Sequence, residues 1–150
     1  MQYAEGRAGR VFVLRIDDGE DMLEVLGDFL VETGVSAAVI QIIGALRGGM
    51  MVTGPREPVL PPVPMREEIA GGSELLGFGT VYPGVQGPAI HLHAATGRGR
   101  ETRTGCIRET ARTYLVVEAI ITELVGINAV RELDERTGVT LPVFCEEKVL

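Results

Sequence analysis

Residues 11–34, VFVLRIDDGEDMLEVLGDFLVETG, decide the fold, because two different periodicities meet within them. In residues 11–17 Phe12, Leu14 and Ile16 fall on one side and Val11, Val13 and Arg15 on the other, the period of two that predicts a strand. Met22, Val25, Leu26, Phe29 and Leu30 then recur at helical spacing, and Gly34 stands where helices stop. Asp18 reads as the N-cap, with Glu20 and Asp21 in the first turn to meet the helix dipole. The expected helix covers about residues 20–33.

Beyond Gly34 the texture is β. Residues 37–43 (AAVIQII) read as a buried strand that Gly44 interrupts, with residues 49–53 pairing back on it. Residues 54–64 (GPREPVLPPVP) hold five of the eight prolines and cannot donate a full ladder of hydrogen bonds. They read as a stiff loop or edge segment; a polyproline segment for a partner is the other reading. Residues 65–69, 73–81, 89–95 and 104–107 read as strands between glycine turns. Residues 112–124 (RTYLVVEAIITEL) have the length of a helix, but their valines, isoleucines, tyrosine and threonines favour a pleated surface, so a long strand is expected. Residues 131–137 read as polar and turn-like, or as one helical turn, and residues 139–144 as a last strand. The fold class that follows is α+β: a strongly curved or barrel-like mixed sheet with one main helix, in a single domain spanning residues 1–150.

Composition narrows the function. The chain has 150 residues, 45% of them apolar, enough for a core without disulfides. Fourteen basic residues against 21 acidic ones give a net charge of −7, which disfavours bare electrostatic attachment to nucleic acid or anionic lipid. Two cysteines, Cys106 and Cys145, make no disulfide framework, and residues 1–10 carry no apolar signal core. A cytoplasmic protein with reduced thiols is the expectation.

Chemistry concentrates in residues 89–95 (AIHLHAA), which contain both histidines. On a strand His91 and His93 project to one face, with Ile90 and Leu92 on the reverse. Two adjacent imidazoles need polar partners and repel when protonated, and a divalent metal relieves both difficulties. Zinc accepts imidazole and thiolate, and Cys106 returns near the histidines if residues 104–107 pair with their strand as a hairpin. Cys106 also reads as a small buried hydrophobe, the usual state of a free cysteine. Cys145, beside Glu146 and Glu147, has no evident partner in the sequence. Arg98, Arg100, Arg103, Arg108 and Arg112 are either a solvated hairpin tip or an anion-binding group, with Arg98 and Arg112 as its leading members. Glu118, a carboxylate among Val116 and Ile120, reads as paired or as lying at a site or an interface, and Glu74 invites the same reading.

The opening strand and helix, Ile43-Gly44-Ala45-Leu46, residues 72–77 (GSELLG), residues 87–94 (GPAIHLHA), Thr104-Gly105-Cys106 and Val117-Glu118 together resemble the plants-and-prokaryotes-conserved (PPC) domain, in its stand-alone prokaryotic form. The resemblance implies an α+β domain that forms homotrimers, and a partner-contact role for Glu74, because residues 72–76 are similar to the plant domain's contact motif. Plant members follow a basic AT-hook; here Gly97-Arg98-Gly99-Arg100 is followed by Glu101, so the family's DNA association is not carried over on charge grounds. The fold is also similar to that of acetolactate decarboxylase, a zinc enzyme with an H-x-H pair and a later histidine. His91 and His93 match that pattern, whereas Cys106 stands where prokaryotic relatives commonly carry a histidine. A thiolate lowers the charge of the site and weakens its hold on a bound hydroxide.

Three functions follow. The first is an oligomeric module that holds zinc, or another divalent transition metal, at His91, His93 and Cys106 and binds a small anionic ligand or partner. The second is a zinc-dependent lyase or hydrolase in which Glu118 moves a proton and Arg98 or Arg112 holds an anionic substrate. The third is a DNA-associated regulator.

Overall fold

The computed structural model describes residues 1–145. Its elements run β1 (Arg7–Asp17), α1 (Met22–Thr33), β2 (Ala38–Pro55), β3 (Pro64–Ile69), β4 (Ser73–Gly84), β5 (Gly87–Arg98), β6 (Glu101–Val125), β7 (Ala129–Asp134) and β8 (Val139–Phe144). The opening reads as its periodicity predicts. Ile16 is fully buried and Phe12 and Leu14 pack against the core, while Val11 and Val13 face out. Met22, Leu26 and Leu30 form the buried stripe of α1, and Phe29 meets Phe12 edge-on with ring centroids 5.2 Å apart.

The cap is Asp21, not Asp18. Asp21 Oδ1 accepts from the Leu23 and Glu24 amides, and its other oxygen accepts from the Ala111 amide at 3.0 Å, tying the helix start to β6. Asp18 lies in the preceding turn, closed by Glu20 N–H to Asp17 C=O, and instead accepts from the Leu115 amide and pairs with Arg47. A helix N-terminus offers several unpaired amides, and the aspartate at the correct offset takes them. Gly34 closes the helix in the left-handed conformation.

Every strand pairing is antiparallel, so the expected mixed sheet is corrected. The cause lies in the connections. The one crossover helix joins β1 to β2, but β6 lies between these strands and runs against both. The pairings β2–β4, β4–β5, β5–β6 and β6–β2 close on themselves, and this circuit is what curves the sheet. Gly44 does not interrupt its strand. A Cβ there would collide with the Val116 carbonyl oxygen, so the glycine permits close approach of β2 to β6 while the strand runs on. Residues 49–53 therefore continue β2 and pair with β3 and β6 rather than folding back. β6 is a single strand with register shifts, and its two residues with positive φ, Glu109 and Leu115, lie in the stretches where the shifts occur.

Residues 129–134 form a strand rather than the expected polar turn, paired with β8 in a separate two-stranded sheet. Its inward face carries Ala129 and Arg131, and an arginine is not read as an inward residue by apolar periodicity. Among the described residues no helix is long and apolar enough to cross a membrane.

Candidate metal centre

His91 and His93 sit on β5, with Leu92 buried behind them. Their Nε2 atoms are 3.1 Å apart, and the rings meet at 78°. Two imidazole nitrogens bound to one tetrahedral zinc stand about 3.3 Å apart, given bonds of about 2.05 Å. The imidazoles are thus already at the spacing of a shared ion. The hairpin expected after residue 95 is present: His93 pairs directly with Cys106 across β5 and β6. The ligand atoms of His91, His93 and Cys106 all lie within 4.8 Å of one another. A sulfur and a nitrogen on one zinc are about 3.6 Å apart, so closing the group takes an ångström-scale adjustment of side chains.

The backbone explains why the sulfur arrives there. Cys106 pairs with His93 on one side and with Val52 of β2 on the other. A Cβ on neighbouring Gly105 would strike the Val52 carbonyl oxygen, so only glycine lets β6 come this close to β2. Cys106 is buried and unpaired by any disulfide.

Burial acts on the two ligand types in opposite senses, readying the imidazole to bind a cation and holding the thiol in its protonated form. Burial, then the positive fields of Arg131, His93 and Arg108, bring His91 down to about 4, so its imidazole is neutral at pH 7 with a lone pair to give. Burial pushes the Cys106 thiol up, opposed by Arg108 and Arg131. Without an ion the site holds a thiol; coordination must displace its proton.

The other expected residues are distributed around the molecule. Glu118 is exposed on β6 and lines an apolar hollow of about 580 Å³ that it shares with His93, Ile43, Leu76, Phe78 and Ile120. Glu74 is exposed on β4 and pairs across to Gly97. Arg98 lines a separate hollow with Arg100 and Arg103, five residues along β5 from His93 and so roughly 17 Å away. Arg112 donates to the Gly19 carbonyl at the start of α1. The hollow that Arg98 lines contains no histidine. Cys145 is exposed and free, and Glu146 and Glu147 lie outside the described residues.

Two arginines of another kind stand beside the centre. Arg108 and Arg131 line a hollow of about 550 Å³ together with His91, Ile90, Thr140 and Leu141. Arg131 is 6% exposed, its Nη2 donates to Thr80 Oγ1 at 2.8 Å, and its guanidinium lies 5.6 Å from the Tyr82 ring centroid. Thr80 is the register partner of His91, which fixes Arg131 next to the imidazole. Apolar periodicity does not mark Arg131 as a site residue; its sequence signal is its alternation with Ala129 in a short strand.

A family model described as the Plants and Prokaryotes Conserved (PCC) domain matches residues 3–125. A solved structure described as a metal-containing protein from Archaeoglobus fulgidus is 28% identical, with a TM-score of 0.84 over 97% of this chain and 100% of that one. A plant- and prokaryote-conserved (PPC) protein from Pyrococcus horikoshii is 22% identical, with a TM-score of 0.75 over 99% of this chain and 100% of that one. A protein from Ralstonia eutropha, provisionally described as DNA-binding, is 12% identical, with a TM-score of 0.75 over 89% and 90% of the two chains. The last two likenesses are of fold. No curated protein matches the chain.

Proposed function

We propose, for a chain that belongs to the Plants and Prokaryotes Conserved domain family, that His91, His93 and Cys106 bind a divalent transition metal, zinc foremost. The observation that carries this is the convergence of three donor atoms within 4.8 Å on neighbouring strands. Two imidazoles and one thiolate form a set that suits zinc better than magnesium or calcium, which prefer oxygen. The similar protein from Archaeoglobus fulgidus is itself described as metal-containing, which supports the reading. In this proposal residues 1–150 act as one cytoplasmic domain that binds a ligand or partner. The domain assembles as a homotrimer through its open apolar face, where Leu76 and Phe78 stand exposed and Glu74 lies on the same strand face.

Elemental analysis of protein purified without added metal tests the claim. About one equivalent of metal is expected in the wild type and a large loss in both His91→Ala and Cys106→Ala. Full metal content in the cysteine variant would remove Cys106 from the ligand set.

A second reading, a metal-dependent lyase or hydrolase, is favoured by the hollow that Glu118 shares with His93. Three protein ligands leave a position for water or substrate, and a bound zinc there supplies Lewis acidity. Glu118 would hold or move a proton at the substrate in that hollow. Turnover lost in Glu118→Gln with metal content intact is the expected result for this reading. A DNA-associated role, suggested by the description of the similar Ralstonia eutropha protein, has the −7 net charge against it.

A further inference from the structure

Among the described residues Arg131 is a buried cation without a counter-charge. No carboxylate of the described residues forms an ion pair with it or with Arg108, and its Nε has no hydrogen-bond partner. The Tyr82 face and the Thr80 hydroxyl are its polar company, and neither is an anion. Burying a guanidinium this way is costly, and structures that keep such a group generally give it an anion to meet. Binding a divalent ion would make the neighbourhood more positive still, since one thiolate offsets only part of the ion's charge.

The hollow beside these groups has the dimensions for a small molecule. At about 550 Å³ it lies within the usual range for ligand pockets, with Ile90 and Leu141 as apolar walls and His91 at one side. Arg108 follows Cys106 by two residues on β6, so a cation from a second strand lines the same space as Arg131.

We propose that Arg131 and Arg108 seat the acidic group of a small oxyanion, a carboxylate or a phosphate, in the hollow next to His91. The rest of the ligand is directed toward the ion held by His91, His93 and Cys106. The inference rests on the metal reading for that second attachment, while the arginine seat stands without it. It assigns anion binding to Arg131 and Arg108 in place of Arg98 and Arg112. Guanidinium suits this role because it presents paired N–H donors to two oxygens at once.

Isothermal titration of the full chain with malonate and with inorganic phosphate, each with and without bound zinc, tests the proposal. One equivalent of at least one probe is expected to bind, more tightly to the zinc-loaded protein, and the tighter of the two identifies the acidic group. Arg131→Lys, which keeps the charge but loses the fork, and Arg108→Met, at an exposed position, should each weaken binding about tenfold or more, whereas Arg98→Met should leave it unchanged. Equal affinity in Arg131→Lys, Arg108→Met and wild type would overturn the proposal, as would no binding of either probe to protein that retains its metal. Arginine-dependent binding that ignores zinc would keep the seat and overturn the attachment to the ion. Loss of metal with anion binding intact would instead overturn the metal reading alone.

Discussion

Replacing Cys106 by serine separates a metal ligand from a buried hydrophobe through the proton it carries. Burial raises the thiol's pKa from its ordinary value of 9.0, so the metal-free protein at pH 7 holds Cys106 protonated. His91, depressed to about 4, is already neutral and has no proton to surrender. Coordination by the thiolate therefore expels about one proton per metal bound from Cys106. Calorimetric titration of zinc into wild-type protein, in two buffers of different ionisation enthalpy, should show that release. The Cys106→Ser variant should release one proton fewer. Its affinity should fall by more than about 100-fold, since even outer-shell changes at metal sites cost about 10–100-fold. Equal proton release in the two proteins would refute the assignment of the sulfur, whatever the affinities.

The other predictions concern the frame around the site. Asp21→Ala removes two cap bonds and the Ala111 contact and should cost about 1–2 kcal/mol in urea unfolding, while Asp18→Ala, at an exposed turn, should cost less. Equal losses would mean that Asp18 shares the capping. In metal-free protein His91 is neutral when folded down to about pH 4 but protonates near 6.5 when unfolded. The unfolded state then binds more protons, so His91's share of stability is complete above pH 6.5 and is lost as pH falls toward 4. After allowance for partial exposure the loss is about 1–2 kcal/mol, and His91→Gln should flatten that part of the pH profile. Phe78→Asp, on the open apolar face, should lower the mass measured by light scattering toward that of one chain; an unchanged oligomer would remove this face from the subunit contact.

What the sequence disclosed, and what it withheld, follow from how each feature is encoded. The opening strand and helix were legible because Phe12, Leu14 and Ile16, then Met22, Leu26 and Leu30, carry their burial in their own periodicity. His91 and His93 were legible because a spacing of two on a strand fixes a shared face, and Cys106 because a hairpin brings it back. The continuity of β2 was hidden by Gly44, whose role is a close approach to β6 that local sequence does not reveal. The cap was misplaced by three residues because several acidic side chains compete there, and the one chosen also bonds Ala111, some ninety residues away. Arg131 was invisible for a related reason: its burial depends on Thr80 and Tyr82 of a distant strand. The proposed oxyanion seat thus depends on tertiary pairing, whereas the proposed metal ligands are largely written into two short stretches.

X-ray absorption at the zinc edge, on protein loaded with one equivalent of zinc, addresses the ligand set itself. The predicted spectrum contains one sulfur at about 2.3 Å together with imidazole nitrogens at about 2.0–2.1 Å. A first shell of nitrogen and oxygen alone, with the thiol still reduced, would contradict the assignment of His91, His93 and Cys106 to one ion.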